Sequence, residues 1–167
     1  MDRITQTASG RAPVVRAAVP TDAEELVRLR AIMLDSLNTA HGDDSWQPAS
    51  VAILRGALAV PGGDLTAFVV DTPRRPGVLA ACVVGTVEHR LGSPGNDAGL
   101  SGHVFSVATD PAMRRRGYSR ACMEALLGWY RERGVPKIDL HASDEGAPLY
   151  ASLGFVPTRA PAMRLLL

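Results

Sequence analysis

Lysine is nearly absent from this chain of 167 residues: 17 of its 18 basic residues are arginine, and Lys137 is the exception. A phosphate-binding loop of the form GxxxxGK followed by Ser or Thr cannot be written anywhere, because Lys137 follows Pro136 and precedes Ile138. Cysteine is scarce as well. Cys82 and Cys122 lie in apolar surroundings without CxxC or Cys/His spacing, which reads as two reduced core residues and sets aside a zinc site, any other metal site and a disulfide scaffold. No apolar run reaches the roughly 18 residues of a membrane-spanning helix. The segment Met1-Asp2-Arg3-Ile4-Thr5-Gln6 is no apolar leader, so a cytoplasmic protein without a membrane partner is expected. Aromatic residues make up 5% and the formal net charge is +1, which argues against a nucleic-acid partner.

What is present is a hydrophobic content of 46% beside 21% charged residues, the balance of a globular chain long enough to bury roughly two-thirds of its unfolded surface. The charge is uneven. Residues 1–100 hold 9 arginines against 11 acids, whereas 101–167 hold 8 arginines and Lys137 against 6 acids. Six of those arginines fall between positions 111 and 134, opposed only by Glu124 and Glu132, so a local positive site is expected there.

Residues 1–12 are polar and aperiodic and read as a disordered tail, which leaves 13–167 as a single domain. Val14 to Ala17 reads as a short strand. Thr21 and Glu24 have the spacing of a capping box, and Leu26, Leu29, Met33 and Leu37 then share one face of a helix of about four turns. His41 to Ser45 form a loop, after which Pro48 suits the first turn of a second helix that ends before Pro61-Gly62-Gly63. Leu65 to Val70 and Val78 to Glu88 are β-branched runs parted by Pro73-Arg74-Arg75-Pro76-Gly77, the pattern of a hairpin. A third run, Gly102 to Thr109, closes at Asp110-Pro111. A helix follows from Gly117 to Arg133 with Cys122, Leu126, Trp129 and Tyr130 on its buried side and Gly134-Val135-Pro136 as its stop. Lys137 to Ala142 is a strand, Pro148 to Leu153 a short helix, and Phe155 to Leu167 one or two closing strands. The order β-α-α-β-β-β-α-β-α-β specifies an α/β (α+β) fold: a mixed sheet with helices on its faces.

The stretch Val104 to Ala121 carries the most chemistry. A strand leads into a turn holding Arg114, Arg115, Arg116 and Gly117, and a helix begins at once. The first amides of a helix have no intrahelical acceptor and the dipole adds positive charge there, so such a turn can hold an anion, a pyrophosphate among them. A solvated arginine turn fits the same residues. A second unit, Ser143 to Phe155, separates the two readings by placing Tyr150 on a short helix just before Gly154-Phe155.

With both units in view, the chain resembles the GNAT superfamily of acyl-CoA-dependent N-acyltransferases from about residue 14 onward. Arg114-Arg115-Arg116-Gly117-Tyr118-Ser119 matches the family pattern Gln/Arg-x-x-Gly-x-Gly/Ala with serine as the last small residue. Leu149-Tyr150-Ala151-Ser152-Leu153-Gly154-Phe155 matches Phe/Leu-Tyr-x-x-x-Gly-Phe. Ser143 stands where many members carry an asparagine beside the pantetheine arm.

The resemblance implies a sheet with splayed parallel strands, between which the pantetheine of acetyl-CoA, the cosubstrate, inserts like an extra strand. The backbone of Val107 and Thr109 then meets pantetheine, and the amides of Arg115 to Ser119, Tyr118 included, cradle the pyrophosphate with charge from Arg114, Arg115 or Arg116. It implies acetyl transfer to the amine of a small molecule or peptide, with the Val107 amide facing the oxyanion and Tyr150 protonating the departing thiolate. A phenol of ordinary pKa about 10 is protonated at neutral pH and so fits that role. His103, four residues before Val107 on the same strand, is the first candidate base, since histidine changes charge near neutrality; Glu88 and a water chain are the others, and His141 flanks the cleft. Acceptor choice is expected from the first two helices and their loop, where Arg30, Met33, His41, Asp43, Asp44 and Trp46 are the readable candidates. A non-catalytic acyl-CoA-binding module is the alternative, and a homodimer is one of the open assembly states.

Overall fold

The computed structural model describes residues 12–37, 39, 42–159 and 162–167. Among the described residues five strands form one sheet in the order β1-β2-β3-β4-β5: β1 is Val15–Ala17, β2 Leu65–Asp71, β3 Leu79–His89, β4 Leu100–Thr109 and β5 Ile138–Leu140. β1 to β4 are antiparallel and β5 joins β4 in parallel, which is the mixed sheet expected from the element order. Helices α1 (Ala23–Ser36) and α2 (Gln47–Leu58) pack on one face, α3 (Tyr118–Glu132) on the other, and the short α4 (Ala147–Ser152) follows β5. Among the described residues no helix is long and apolar enough to cross a membrane. The tail reading up to Arg11, and His41, lie outside the described residues.

β3 explains why the sheet is covered twice. Its side chains alternate, so Cys82 and Val84 join Leu26, Leu29 and Leu54 under α1 and α2, while Ala81, Val83 and Val87 join Cys122, Leu126 and Tyr130 under α3. Both cysteines are free and buried, and burial pushes each thiol up to about 12, which keeps them neutral fillers of the two cores. α3 approaches the sheet through a notch made by two glycines. A Cβ at Gly85 would stand 2.5 Å from the Tyr130 hydroxyl, and one at Gly102 would stand 2.8 Å from the Tyr130 ring. The fully buried Tyr130 fills that notch and donates its hydroxyl hydrogen toward the carbonyls of His103 (2.9 Å) and Thr86 (3.1 Å).

Three local expectations need correction. Thr21 and Glu24 form no capping box. The chain makes a 3-10 turn at Pro20–Asp22, where the Asp22 carboxylate accepts the Val19 amide at 2.8 Å, and α1 begins at Ala23. Arg16 fixes that carboxylate from β1 at 2.7 Å, and Glu24 is ion-paired with Arg55 of α2 instead. Leu37, expected on the buried face of α1, sits past the helix end and is 45% exposed. The closing strands expected from Phe155 to Leu167 are not formed among the described residues, and Met163 and Leu165 to Leu167 are exposed. Pro157 and Pro161 have no amide to give a ladder, and β5 spans only 3 residues for a partner to follow.

Candidate functional site

β4 and β5 stay together for only three residue pairs, Gly102 with Ile138, His103 with Asp139 and Val104 with Leu140. β5 ends there, while β4 runs on to Thr109, so among the described residues the edge of β4 beyond Val104 is left open. The Asp110 amide turns back to the Ala80 carbonyl of β3 at 2.8 Å. Because successive residues of a strand aim their amides to opposite sides, that of Thr109 points away from β3 into the gap.

A bulge prepares this edge. Cys82 faces Ala108 but Val84 faces Phe105, so β4 holds one residue more than β3 across that interval. Ser106 takes the strain with a φ of +51°, a left-handed conformation uncommon for serine. The extra residue resets the alternation: Val104 and Val107 pack toward α3, Phe105 and Ala108 toward α1.

The open edge leads straight to the arginine turn. Asp110 caps a 3-10 turn at Pro111–Met113, Arg115 and Gly117 adopt φ of +63° and +76°, and α3 starts at Tyr118. Gly117 is where the absent side chain matters, since a left-handed residue at the helix start would otherwise be strained. The amides of Tyr118, Ser119 and Arg120 open the helix with no intrahelical acceptor. Arg114, Arg115 and Arg116 are exposed around them. Two ties hold this corner: Thr109 Oγ1 lies 2.6 Å from Ser119 Oγ, and Arg28 of α1 bridges Glu25 (2.8 Å) and Asp110 (2.9 Å) while donating to the Leu79 carbonyl.

Edge, turn and α4 enclose one cleft of about 1280 Å³, larger than the roughly 300–1,000 Å³ of ordinary small-ligand pockets. Tyr150 lines it from α4, packed edge-on to Phe155 with ring centroids 6.1 Å apart, and burial pushes its phenol above the ordinary value. Ser143 lines it too and accepts the Gly146 amide at 3.2 Å, which fastens the start of α4. His103 and His141 meet edge to face in the cleft with ring centroids 5.9 Å apart, and Phe105 stacks with His103 at 6.1 Å. Glu88 is ion-paired with Arg90 at 2.6 Å and does not line the cleft.

Of the residues read for the acceptor side, Arg30 and Met33 line the main cleft from α1. Arg30 also borders a smaller cavity of about 350 Å³ toward α2, shared with Asp43 and Trp46. The Trp46 indole donates to the Asp43 carbonyl at 2.8 Å. Asp44 accepts from Gln47 at 2.6 Å and lines neither cavity. Three participants were not read from sequence: Ser106, whose hydroxyl meets Arg30; Phe105, whose ring lies under that guanidinium; and Arg164, which reaches the cleft from the C-terminal segment. The Arg30–Ser106 contact spans 76 positions, and a serine inside a β-branched run carries no signal of its bulge.

The model of the acetyltransferase (GNAT) family matches residues 30–155. Among solved structures, the chain is similar to a predicted acetyltransferase with acetyl-CoA from Clostridium acetobutylicum, with a TM-score of 0.78 and 22% identity over 91% of this chain and 95% of that one. It is similar to a GCN5-related N-acetyltransferase from Ralstonia eutropha JMP134 (TM-score 0.74, 25% identity, 91% and 97% covered). It is also similar to glucosamine-6-phosphate N-acetyltransferase from Arabidopsis thaliana (TM-score 0.72, 17% identity, 93% and 99% covered). No curated protein sequence matches the chain.

Proposed function

The chain belongs to the GNAT acetyltransferase family, and on that footing we propose that it is an N-acetyltransferase, moving the acetyl group of acetyl-CoA to an amine by direct attack within a ternary complex. The observation that carries this reading is the continuity of the open β4 edge with the arginine turn at the start of α3, in one cleft with Tyr150. That continuity suits a ligand with an amide-bearing arm at one end and phosphates at the other. The backbone of Val107 and Thr109 pairs with the arm, and Ser143 stands beside it. The amides from Arg115 to Ser119 take the pyrophosphate, and Arg114 to Arg116 neutralise it.

The chemistry follows from what the cleft offers. The amine loses a proton, for which His103 is the base, and attacks the thioester carbonyl. The Val107 amide donates to the oxyanion that develops, a kind of contribution commonly worth about 3 to 4 kcal/mol. The carbon–sulfur bond then breaks and Tyr150 protonates the thiolate. Burial supports this assignment, because a phenol pushed above its ordinary value keeps its proton at neutral pH until the thiolate claims it.

Two measurements on the whole chain test the proposal. Acetyl-CoA should raise the melting temperature by binding the folded state, and thiol release from acetyl-CoA should appear with some member of a panel of amino acids, polyamines, aminoglycosides and peptides. No thermal shift at millimolar acetyl-CoA sinks the reading; a shift without thiol release from any amine leaves a CoA-binding module.

A further inference from the structure

α1 carries two arginines two residues apart with opposite fates. Arg28 is neutralised by Glu25 and Asp110. Arg30 has no carboxylate partner among the described residues, although it is half-buried and turned toward the sheet. One Nη1–H donates to the Ser106 hydroxyl, and the guanidinium carbon lies 6.0 Å from the centroid of the Phe105 ring. Burial pulls the Arg30 guanidinium below its ordinary value, so the fold bears a cost to hold the charge here. The residue borders both the main cleft and the smaller cavity toward α2. A planar fork held by a hydroxyl and a ring face, with its other N–H groups unclaimed among the described residues, is built for bidentate contact with an oxyanion.

Position says which oxyanion. The arginines that suit the phosphates of acetyl-CoA stand at the far end of β4, past Thr109, whereas Arg30 contacts Ser106, the neighbour of Val107. Consecutive Cα atoms are about 3.8 Å apart, which sets Arg30 beside the Val107 end of the cleft and not beside the arginine turn. Resting on the acetyl-transfer reading above, we propose that the acceptor is an amine bearing a nearby oxyanion, a carboxylate or a phosphate monoester, and that Arg30 is the residue that selects it. The strained bulge at Ser106 then serves two ends, resetting the alternation of β4 and turning its own hydroxyl to Arg30.

The test uses matched acceptors: the common amino acids, each beside its carboxamide, and 2-aminoethyl phosphate beside ethanolamine. Thiol release from acetyl-CoA gives kcat/KM, and a thermal-shift titration of each acceptor on protein saturated with CoA gives binding independently of turnover. One anionic member should exceed its neutral partner by about ten- to hundredfold, the scale of a charge-assisted hydrogen bond, and carboxylate or phosphate is told by which pair separates. Arg30→Met and Arg30→Gln should abolish that separation while the acetyl-CoA thermal shift persists; Arg30→Lys should keep part of it. Equal use and equal binding of both members of every pair by the unmodified chain overturns the proposal, as does a loss of acetyl-CoA binding in Arg30→Gln, which assigns the charge to the cosubstrate. Arg30-dependent binding of an anionic acceptor without turnover upholds the site and rejects acetyl transfer; turnover with no preference for the anion does the reverse.

Discussion

Removing one oxygen atom at Tyr130 should show how strongly α3 is locked to the sheet beneath the site. The side chain is fully buried, and its hydroxyl is 2.9 Å from the His103 carbonyl and 3.1 Å from that of Thr86. Tyr130→Phe deletes the donor and leaves two enclosed acceptors without it, which costs about 1–3 kcal/mol. Gly85→Ala attacks the same contact from the strand: its Cβ would meet the hydroxyl at 2.5 Å and the Leu126 methyls at 2.8 and 2.9 Å, an overpacking of about 1–3 kcal/mol. The two changes are not independent. In the double variant the closest clash is gone because the oxygen is gone, while the Leu126 contacts persist, so the combined cost should fall short of the sum by about 0.5 kcal/mol or more. Urea unfolding of the four proteins measures the cycle. Each single variant should also melt lower, by about 2–4 °C per kcal/mol for a chain of this size. Strict additivity, or a Tyr130→Phe variant as stable as its parent, would falsify the account of the glycine notch.

The site offers further tests. Tyr150→Phe should lower kcat at least tenfold with little change in acetyl-CoA affinity; since the acid form is the working form and burial raises its pKa, the unmodified enzyme should keep its kcat until pH exceeds about 10, and an alkaline fall centred well below that refutes the role. Gly117→Ala meets open space but must hold a φ of +76°, so it should cost about 1–2 kcal/mol and raise the KM for acetyl-CoA more than it lowers kcat, as steady-state kinetics would show. Two contacts from Arg16, at 2.8 and 2.9 Å, hold the Asp71 carboxyl below the usual range. That contribution is complete above the ordinary carboxylate value near 3.9 and is lost as pH falls through the lowered one. The stability deficit of Asp71→Asn at pH 7, which leaves the Arg16–Asp22 pair in place, should therefore be small when read from melting temperatures, about 1 kcal/mol or less for an exposed pair, and should vanish in strong acid; a deficit independent of pH contradicts it.

How much of this was legible in sequence depended on how local the cause was. The hairpin of β2 and β3 and the strand, turn and helix around Gly117 were readable because alternation, proline, glycine and arginine lie within a few residues of one another. Tyr150 and Ser143 were named through the family resemblance carried by the stretch from Ser143 to Phe155, and the structure brings both to the same cleft as His103 and the arginine turn. Contacts made across the chain were not readable. Asp22, not Thr21, organises the start of α1 because Arg16 reaches it from β1. The left-handed Ser106 is set by the register between β3 and β4, and Arg30 becomes distinctive only once Arg28 is seen to claim the nearby acids. The apolar residues after Phe155 resembled strands because hydrophobicity alone does not report whether a partner edge is within reach.

The parting of β4 from β5 has a consequence for mutational tolerance. The polar groups on that open edge are main-chain groups, supplied by any residue that keeps the strand extended, so replacing a side chain there deletes none of them. What can be lost is the angle between the strands, which the bulge at Ser106 and the short length of β5 help to set. Heritable damage to that edge would arise from insertions, deletions and prolines more than from other exchanges of one residue for another, and its sequence can drift far while its shape persists.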